Sequence, residues 1–417
     1  MRTLVPALFV IAACTSNSSP SAPGGDDDTE PPTGSDTGSD NPPPSSDDIF
    51  DLYDQAQSCD TATLTKLSAA LGTYAGPVWS NGRALFRTQM PAQIAGDWNN
   101  WSTSDLASTA LCNTDLVLAA GPVPTGFHQY KIFHDNTWSL DAMNPAFEYD
   151  DFAGNPDGRN NVLNTPDSGR GNIVELPQEC STALGNCRDV TAYLPAGYYA
   201  PANASKTYPV MFMFDGQNIW DDHDCCFGHT GWEINITLDS EIAAGKVAPI
   251  IVIGAASTSN RNNEYGLDDT AMANMIDLQV QMQTDELPLV RHDGGKVAIA
   301  GSSLGGVMAM EMTMHHPELY SGAASLSGAF WARTDLPGTT KRDLAVYLDS
   351  GGSTTDNSDS ANDTIAIRDA LIGLGWQQGC AEGPSSVCYE ISPGATHDEL
   401  AWKSRAWQFL EYLFPGT

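Results

Sequence analysis

Lysine and arginine are scarce in this sequence, 19 among 417 residues against 52 aspartates and glutamates, for a formal net charge of −33. A surface this negative repels phosphate backbones and anionic headgroups, which argues against nucleic acid as a partner. The imbalance is not confined to a tail. Without Arg2 and the eight acids of residues 15–48, 44 acids still face 18 bases. The acids read as a solubilising surface rather than a cation-binding device. Long apolar runs are missing too. Past residue 14 no stretch approaches the roughly 20 apolar residues of a membrane-spanning helix. No internal repeat is present. The acids from Asp150-Asp151 to Asp157-Gly158 lack EF-hand spacing, so no calcium site is expected.

The one leading apolar run is short. Arg2 precedes Leu4 to Ala13, a stretch suited to an export signal rather than a permanent span. It ends in Ile11-Ala12-Ala13-Cys14, which resembles the bacterial lipobox and marks Cys14 for lipidation. The expectation is an exported lipoprotein, periplasmic or at the cell surface and anchored through Cys14, with residues 1–13 as signal peptide. Residues 14–48 hold Ser, Pro, Gly, Asp and Thr with almost nothing apolar, and read as a flexible tether. Of nine cysteines, eight remain without Cys14, an even number that suggests disulfides in an exported chain. Cys180/Cys187 and Cys380/Cys388 are close enough in sequence to be local loops, and Cys59/Cys112 would fit within the N-terminal domain, leaving Cys225 and Cys226 as a vicinal couple. Spacing alone leaves the connectivity open.

Beyond the tether the chain falls into two textures. Helical patterning begins near Ile49 and recurs from Thr61 to Leu71, before a β-rich region from Val78 to Leu163. This defines an N-terminal module over residues 49–165. From residue 170 to 417, short apolar runs alternate with longer amphipathic stretches, the signature of a parallel sheet with crossover helices. The runs are Val190–Leu194, Pro209–Phe214, Pro249–Ala255, Lys296–Ala300, Leu344–Leu348 and Val387–Ile391. At the end, Ala406, Phe409, Leu410 and Leu413 share one face of a helix.

The sharpest chemical signal is Gly301-Ser302-Ser303-Leu304-Gly305, directly after the strand Val297-Ala298-Ile299-Ala300 and before a helical stretch. Gly-x-Ser-x-Gly at a strand-to-helix turn is a nucleophile elbow, whose tightness requires both glycines. Ser303 is the expected nucleophile and needs a base. In this arrangement acid and histidine follow the serine in chain order, and His397, in a loop before the last helix, is the expected base. The acid should follow the strand Leu344–Leu348. Asp349, Asp356 and Asp359 qualify; Asp356, in the loop proper, is preferred, with Asp349 next. An oxyanion hole needs two N–H donors. Leu304, after the nucleophile, and Gln217, in Asp215-Gly216-Gln217-Asn218 after an early strand, are the expected pair, with Gly216 as neighbour.

Together these motifs resemble the esterase family of α/β hydrolases that includes enterochelin esterases, esterase D-like enzymes and carbohydrate esterase family 1. The resemblance rests on Tyr208 to Asn218, Arg261-Asn262-Asn263-Glu264-Tyr265, Gly301 to Gly306, and Gly394-Ala395-Thr396-His397-Asp398-Glu399 with Trp402 and Arg405. It implies a doubly wound α/β-hydrolase fold and ester hydrolysis through an acyl-enzyme, with no metal or organic cofactor. Arg261 and Glu264 would line the pocket or form a structural ion pair. The insertion Asp221 to His229 departs from the pattern; its Cys and His residues could suggest zinc, but exported cysteines more often pair. The N-terminal module resembles the Ig-like glycogen-binding modules of carbohydrate-binding family 48, through Ala95-Gly96-Asp97-Trp98-Asn99-Asn100-Trp101, Gln129 to Phe133, Asp135 to Trp138 and Arg159 to Val162. There Trp101 and Trp138 would stack on sugar, with Lys131 and Asn160 on its hydroxyls. A module that only shapes the catalytic entrance is the alternative.

The expectation is therefore a serine carboxylic-ester hydrolase acting on a small-molecule or polysaccharide-linked ester, an acyl or feruloyl ester of a carbohydrate first. A siderophore esterase or an acyltransferase is the alternative within the class. A catalytically inert surface glycan-binding lipoprotein is the alternative outside it.

Overall fold

The computed structural model describes residues 44–150, 158–220 and 230–416, apart from 334, 335, 337, 339, 354, 356 and 381–385. The signal peptide, Cys14, most of the expected tether, the insertion with Cys225 and Cys226, and Asp356 lie outside the described residues.

The described chain opens on α1 (Ser46–Ala56), which begins inside the stretch expected as tether. Ser45 starts it with a capping box: its hydroxyl receives the Asp48 N–H at 3.2 Å, and the Asp48 carboxylate answers the Ser45 N–H at 2.9 Å. α2 (Thr61–Leu71) follows, with Asp60 as N-cap. Nine strands come next: β1 (Val78–Ser80), β2 (Arg83–Thr88), β3 (Gln93–Gly96), β4 (Thr109–Ala110), β5 (Val117–Pro122), β6 (Phe127–His134), β7 (Thr137–Ser139), β8 (Ala146–Tyr149) and β9 (Arg159–Asn164). They form two antiparallel sheets, β1-β2-β5-β4 and the run β8-β9-β6-β3. Phe86, Ala119, Ile94, Tyr130, Ile132 and Leu163 from both sheets share one core. The helices cover the other face of the first sheet, where Ile49, Leu67 and Leu71 meet Val78, Leu85 and Leu118. Cys59 and Cys112 are disulfide-bonded across this layer. Closing a loop with their separation of 53 residues contributes about 4 kcal/mol on the chain-entropy account.

The second half runs β10 (Asn172–Ser181), β11 (Asn186–Leu194), β12 (Val210–Phe214), α3 (Ile234–Ala243), β13 (Ile251–Ala255), α4 (Asp269–Glu286), β14 (Val297–Ser302), α5 (Leu304–His315), β15 (Tyr320–Leu326), β16 (Ala345–Ser350), α6 (Ala361–Gly373), β17 (Gln377–Gln378), β18 (Ser386–Ile391), α7 (Glu399–Lys403) and α8 (Ala406–Leu413). Strand order is β10-β11-β13-β12-β14-β15-β16-β18-β17, parallel from β13 onward, with β11 antiparallel to both β10 and β13. Both faces are covered, which is why the strands read as unbroken apolar runs. Along β12, Val210, Phe212 and Phe214 join the core under α4, α5 and α6, while Met211 and Met213 join the core under α3 and α8. Ala406, Phe409 and Leu410 of α8 are fully buried, each large side chain contributing roughly 1.5–3 kcal/mol.

The two halves share a sheet. β8 pairs antiparallel with β10, so hydrogen bonding runs without a break from the N-terminal strands into the parallel strands. The disulfides Cys180–Cys187 and Cys380–Cys388 close two local loops of the second half, as their spacing suggested.

Candidate active site

The elbow is built by backbone crowding. β14 ends at Ser302 and α5 begins at Leu304, so Ser303 alone makes the turn, at φ 55° and ψ −125°. For a serine this conformation costs on the order of 1–3 kcal/mol. It is held from both sides: the Ser303 N–H donates to Leu326 O at 3.0 Å, and Ser303 O accepts from Ala329 N at 3.0 Å and Val307 N at 3.2 Å. A Cβ on Gly301 would lie 2.5 Å from the Gly305 carbonyl group, and one on Gly305 would lie 3.1 Å from Asp215 Oδ2. Gly301 is therefore a steric requirement, while Gly305 sits in a tight fit against the Asp215 and Phe214 side chains.

Leu304 is the first residue of α5, so its N–H has no acceptor within the helix. Gln217 sits in the single 3-10 turn after β12. That turn is pinned at three points. Asp215 enters it at φ 59°. Gly216 presses on the backbone of Gly254 and Ala255 so closely that a Cβ would fall 2.5 Å from it. The Gln217 amide exchanges two 2.8 Å hydrogen bonds with the Ser257 N–H and hydroxyl. Asp215 itself is gripped by Arg261 in a bidentate pair, Nε to Oδ1 at 2.6 Å and Nη2 to Oδ2 at 2.7 Å. Arg261 also lies over the Tyr265 ring, 5.0 Å from its centroid. Glu264 makes a different pair, with the fully buried Arg188 at 3.2 Å. The sequence alternatives for Arg261 and Glu264 thus resolve to two separate ion pairs.

His397 follows β18 at the same sheet edge, its side chain 41 % exposed. Its Nδ1 is 2.5 Å from Asp359 Oδ1. A proton on Nδ1 shared with that carboxylate leaves Nε2 unprotonated and able to accept one. The Trp402 ring meets the imidazole edge-to-face at 5.1 Å. Asp359 Oδ2 accepts from Ser327 Oγ at 2.6 Å and from the Gly351 N–H. Among the described residues the carboxylate that meets His397 is therefore that of Asp359, the third of the sequence candidates, while the preferred Asp356 lies outside the described residues. The reason is local: Asp359 lies just ahead of α6 with φ 54°, and the Gly351-Gly352 segment is tied to the His397 loop through Gly352 N to Ala395 O at 3.1 Å.

Asp349, the other candidate, has a separate role. It is fully buried at the end of β16, takes Arg405 Nε and Nη2 at 2.9 and 3.2 Å, and accepts from the Ser327 N–H at 3.1 Å. Burial raises its carboxyl above the ordinary aspartate value, and Arg405 opposes that shift. Ser327 joins the two acids: its hydroxyl donates to Asp359 while receiving Arg405 Nη2 at 2.6 Å and Trp402 Nε1 at 3.0 Å. No local pattern in the sequence marks Ser327.

On the N-terminal sheet, Trp101 and Trp138 meet at 71° with centroids 6.3 Å apart. Lys131 and Asn160 are buried, at 4 % and 2 % exposure. The Asn160 amide already donates to Gln129 Oε1 and Asp150 Oδ2, both at 2.7 Å. Among the described residues, one group of three potential metal ligands comes together, Cys380, Cys388 and Glu390, and its two sulfurs are joined to each other in a disulfide.

A serine on a strained strand-to-helix turn, and a histidine–carboxylate pair on loops of the same edge of a mostly parallel sheet, define an α/β hydrolase. Within that class the chain belongs to the family described as "Putative esterase", whose pattern matches residues 181–404. It is 26% identical over 320 residues to the endo-1,4-beta-xylanase/feruloyl esterase of Xylanibacter ruminicola, matching 70% of this chain and spanning 39% of that protein. The uncharacterized protein YbbA of Bacillus subtilis is 20% identical over 251 residues, 54% of this chain and 92% of its own length. Similar solved structures include a ferulic acid esterase, at 17% identity and TM-score 0.41 over 59% of this chain and 98% of that one. The enterobactin esterase FES of Shigella flexneri matches at 14% identity and TM-score 0.42, over 83% of this chain and 98% of its own.

Proposed function

We propose that this protein is a serine carboxylic-ester hydrolase that works through an acyl-enzyme. The observation that carries the reading is the His397 Nδ1–Asp359 pair at 2.5 Å, on the sheet edge where Ser303 makes its turn. Ser303 Oγ adds to the ester carbonyl carbon as His397 Nε2 takes its proton. The oxyanion lies against the N–H groups of Leu304 and Gln217. Collapse breaks the bond to the alcohol, which leaves with the proton from His397. Water then adds to the acyl-enzyme with His397 as base, and the acid departs, restoring Ser303. Asp359 orients the imidazole and offsets the charge it gains.

The substrate class proposed is an acyl or feruloyl ester of a carbohydrate. The named activity of the Xylanibacter ruminicola relative supports this, as do the sugar-module motifs around Trp101 and Trp138. Export and anchoring through Cys14 belong to the same proposal and would put the enzyme where such polymers are met.

The test is fluorophosphonate labelling of the full chain, wild type against Ser303→Ala. Labelling lost only in the variant supports the reading; a folded wild type that does not label overturns it. Screening of acetylated, feruloylated and siderophore esters then separates the substrates.

A further inference from the structure

One cavity lies away from Ser303. It holds about 390 Å³ and opens where the helical layer, the N-terminal sheets and the parallel sheet come together. Val78, Ala146 and Leu163 on its wall each belong to a different hydrophobic cluster. Arg291, which also lines it, precedes β14, whereas Ser303 follows that strand. The six residues of β14 therefore put the cavity about 20 Å from the nucleophile, on the opposite edge of the sheet. A cleft of this size where modules join is the usual form of a ligand site.

Its chemistry restricts the ligand. Tyr74, Trp79, Tyr198 and Tyr199 supply ring surface. Among the described residues no acid lines it, in a chain with 52. The one cation among them, Arg291, is committed: the guanidinium donates to the carbonyls of Asn203 and Tyr198 and covers the Tyr198 ring at 3.8 Å. A neutral ligand fits such a wall. The polar side chains are largely consumed as well. Asn144 donates to Tyr130 and to Val162 O, Asn164 to the carbonyls of Arg170 and Gly171, and the Thr165 hydroxyl accepts the Gly126 N–H. Among the described residues, the Ser46 hydroxyl, the Asn172 amide and the Tyr199 phenol remain without a side-chain hydrogen bond. A sugar carries a hydroxyl on nearly every carbon and would leave most of them unpaired here. A flat aromatic body with one or two hydroxyls matches both the rings and the short polar inventory.

We propose that this cavity is a second, non-catalytic binding site for a neutral phenolic ligand. The proposal is independent of ester hydrolysis. Titration calorimetry on the full chain tests it with coniferyl alcohol, a neutral phenol without an ester, beside ferulate and xylotriose. Coniferyl alcohol is expected to bind saturably, and Tyr199→Ala to weaken it roughly tenfold or more. Tyr199 is 47 % exposed, so its truncation leaves the fold intact, and Trp79→Phe gives a second, milder change of ring surface. Ser303→Ala should bind as wild type does. Absence of saturation, loss of binding in Ser303→Ala, or binding of xylotriose in place of the phenol would each overturn the proposal. Loss in Trp138→Ala with Tyr199→Ala unaffected would also overturn it, by moving the site to the exposed N-terminal sheet.

Discussion

The hydroxyl of Ser327 donates to Asp359 Oδ2 at 2.6 Å, and this one bond links the acid on His397 to the buried Arg405–Asp349 pair. A carboxylate at 2 % exposure is thereby aimed by a group that never meets the substrate. Ser327→Ala should lower kcat about tenfold with KM little changed, the scale of one hydrogen bond to a charged group. Ser327→Thr, which keeps the hydroxyl, should recover much of the loss. Steady-state kinetics on a chromogenic ester checks the pair; equal behaviour of both variants would show that the bond does not position Asp359.

The assignment of the acid is open to a direct comparison. Asp359→Asn should lower kcat by roughly 10³–10⁴-fold, because the amide no longer favours the imidazole tautomer and charge that catalysis requires. Asp356→Asn should stay within about threefold of wild type. The opposite ranking would return the role to Asp356.

Arg261 holds the turn that presents Gln217. Without it, Asp215 is left at 4 % exposure with its bidentate partner gone. Arg261→Gln should cost about 3 kcal/mol of stability by urea unfolding and also reduce kcat. Arg261→Lys should fall between, since an ammonium cannot reproduce the two-pronged contact.

A pH dependence arises in α4. Glu286 is fully buried beside Glu179, and its carboxyl is pushed up to about 8, by burial first and by the Glu179 charge second. The folded protein thus keeps a proton that the unfolded chain gives up near 4.5. The stability this group contributes is complete below that value and is lost as pH rises through about 8. Glu286→Gln should flatten the decline and exceed wild type at high pH by more than about 1 kcal/mol. Urea unfolding at acidic and alkaline pH, disulfides intact, measures it; parallel profiles would contradict it.

Much of the second half was legible because its strands are buried on both faces. The six apolar runs between Val190 and Ile391 correspond to β11, β12, β13, β14, β16 and β18, with ends moved by a few residues. β15 escaped, since Tyr320-Ser321-Gly322-Ala323-Ala324-Ser325 has no β-branched residue and is a strand by virtue of its neighbours. Gly322 is small for a reason seen only in the fold, where a Cβ would fall 2.6 Å from Ala345 O on β16. α1 began within a stretch expected as tether because the two acids in its first turn, of which Asp48 closes the capping box, read as tail composition. The continuity of the two halves through β8 and β10 depends on a long-range pairing that no local pattern encodes.

The sequence by itself determined the elbow at Ser303, because a turn that tight leaves no room for a Cβ at Gly301 and little at Gly305, and steric exclusion is written in residue identity. It also determined that the candidate acids and His397 follow Ser303 along the chain. Which acid reaches His397 was decided by tertiary structure alone. Asp349, Asp356 and Asp359 lie at or after the end of the same strand, and only the described positions of Ser327, Gly351 and Arg405 separate a carboxylate buried on an arginine from one held against the imidazole. A carboxylate's role depends on the charges and donors within a few ångströms of it, and those come from parts of the chain remote in sequence.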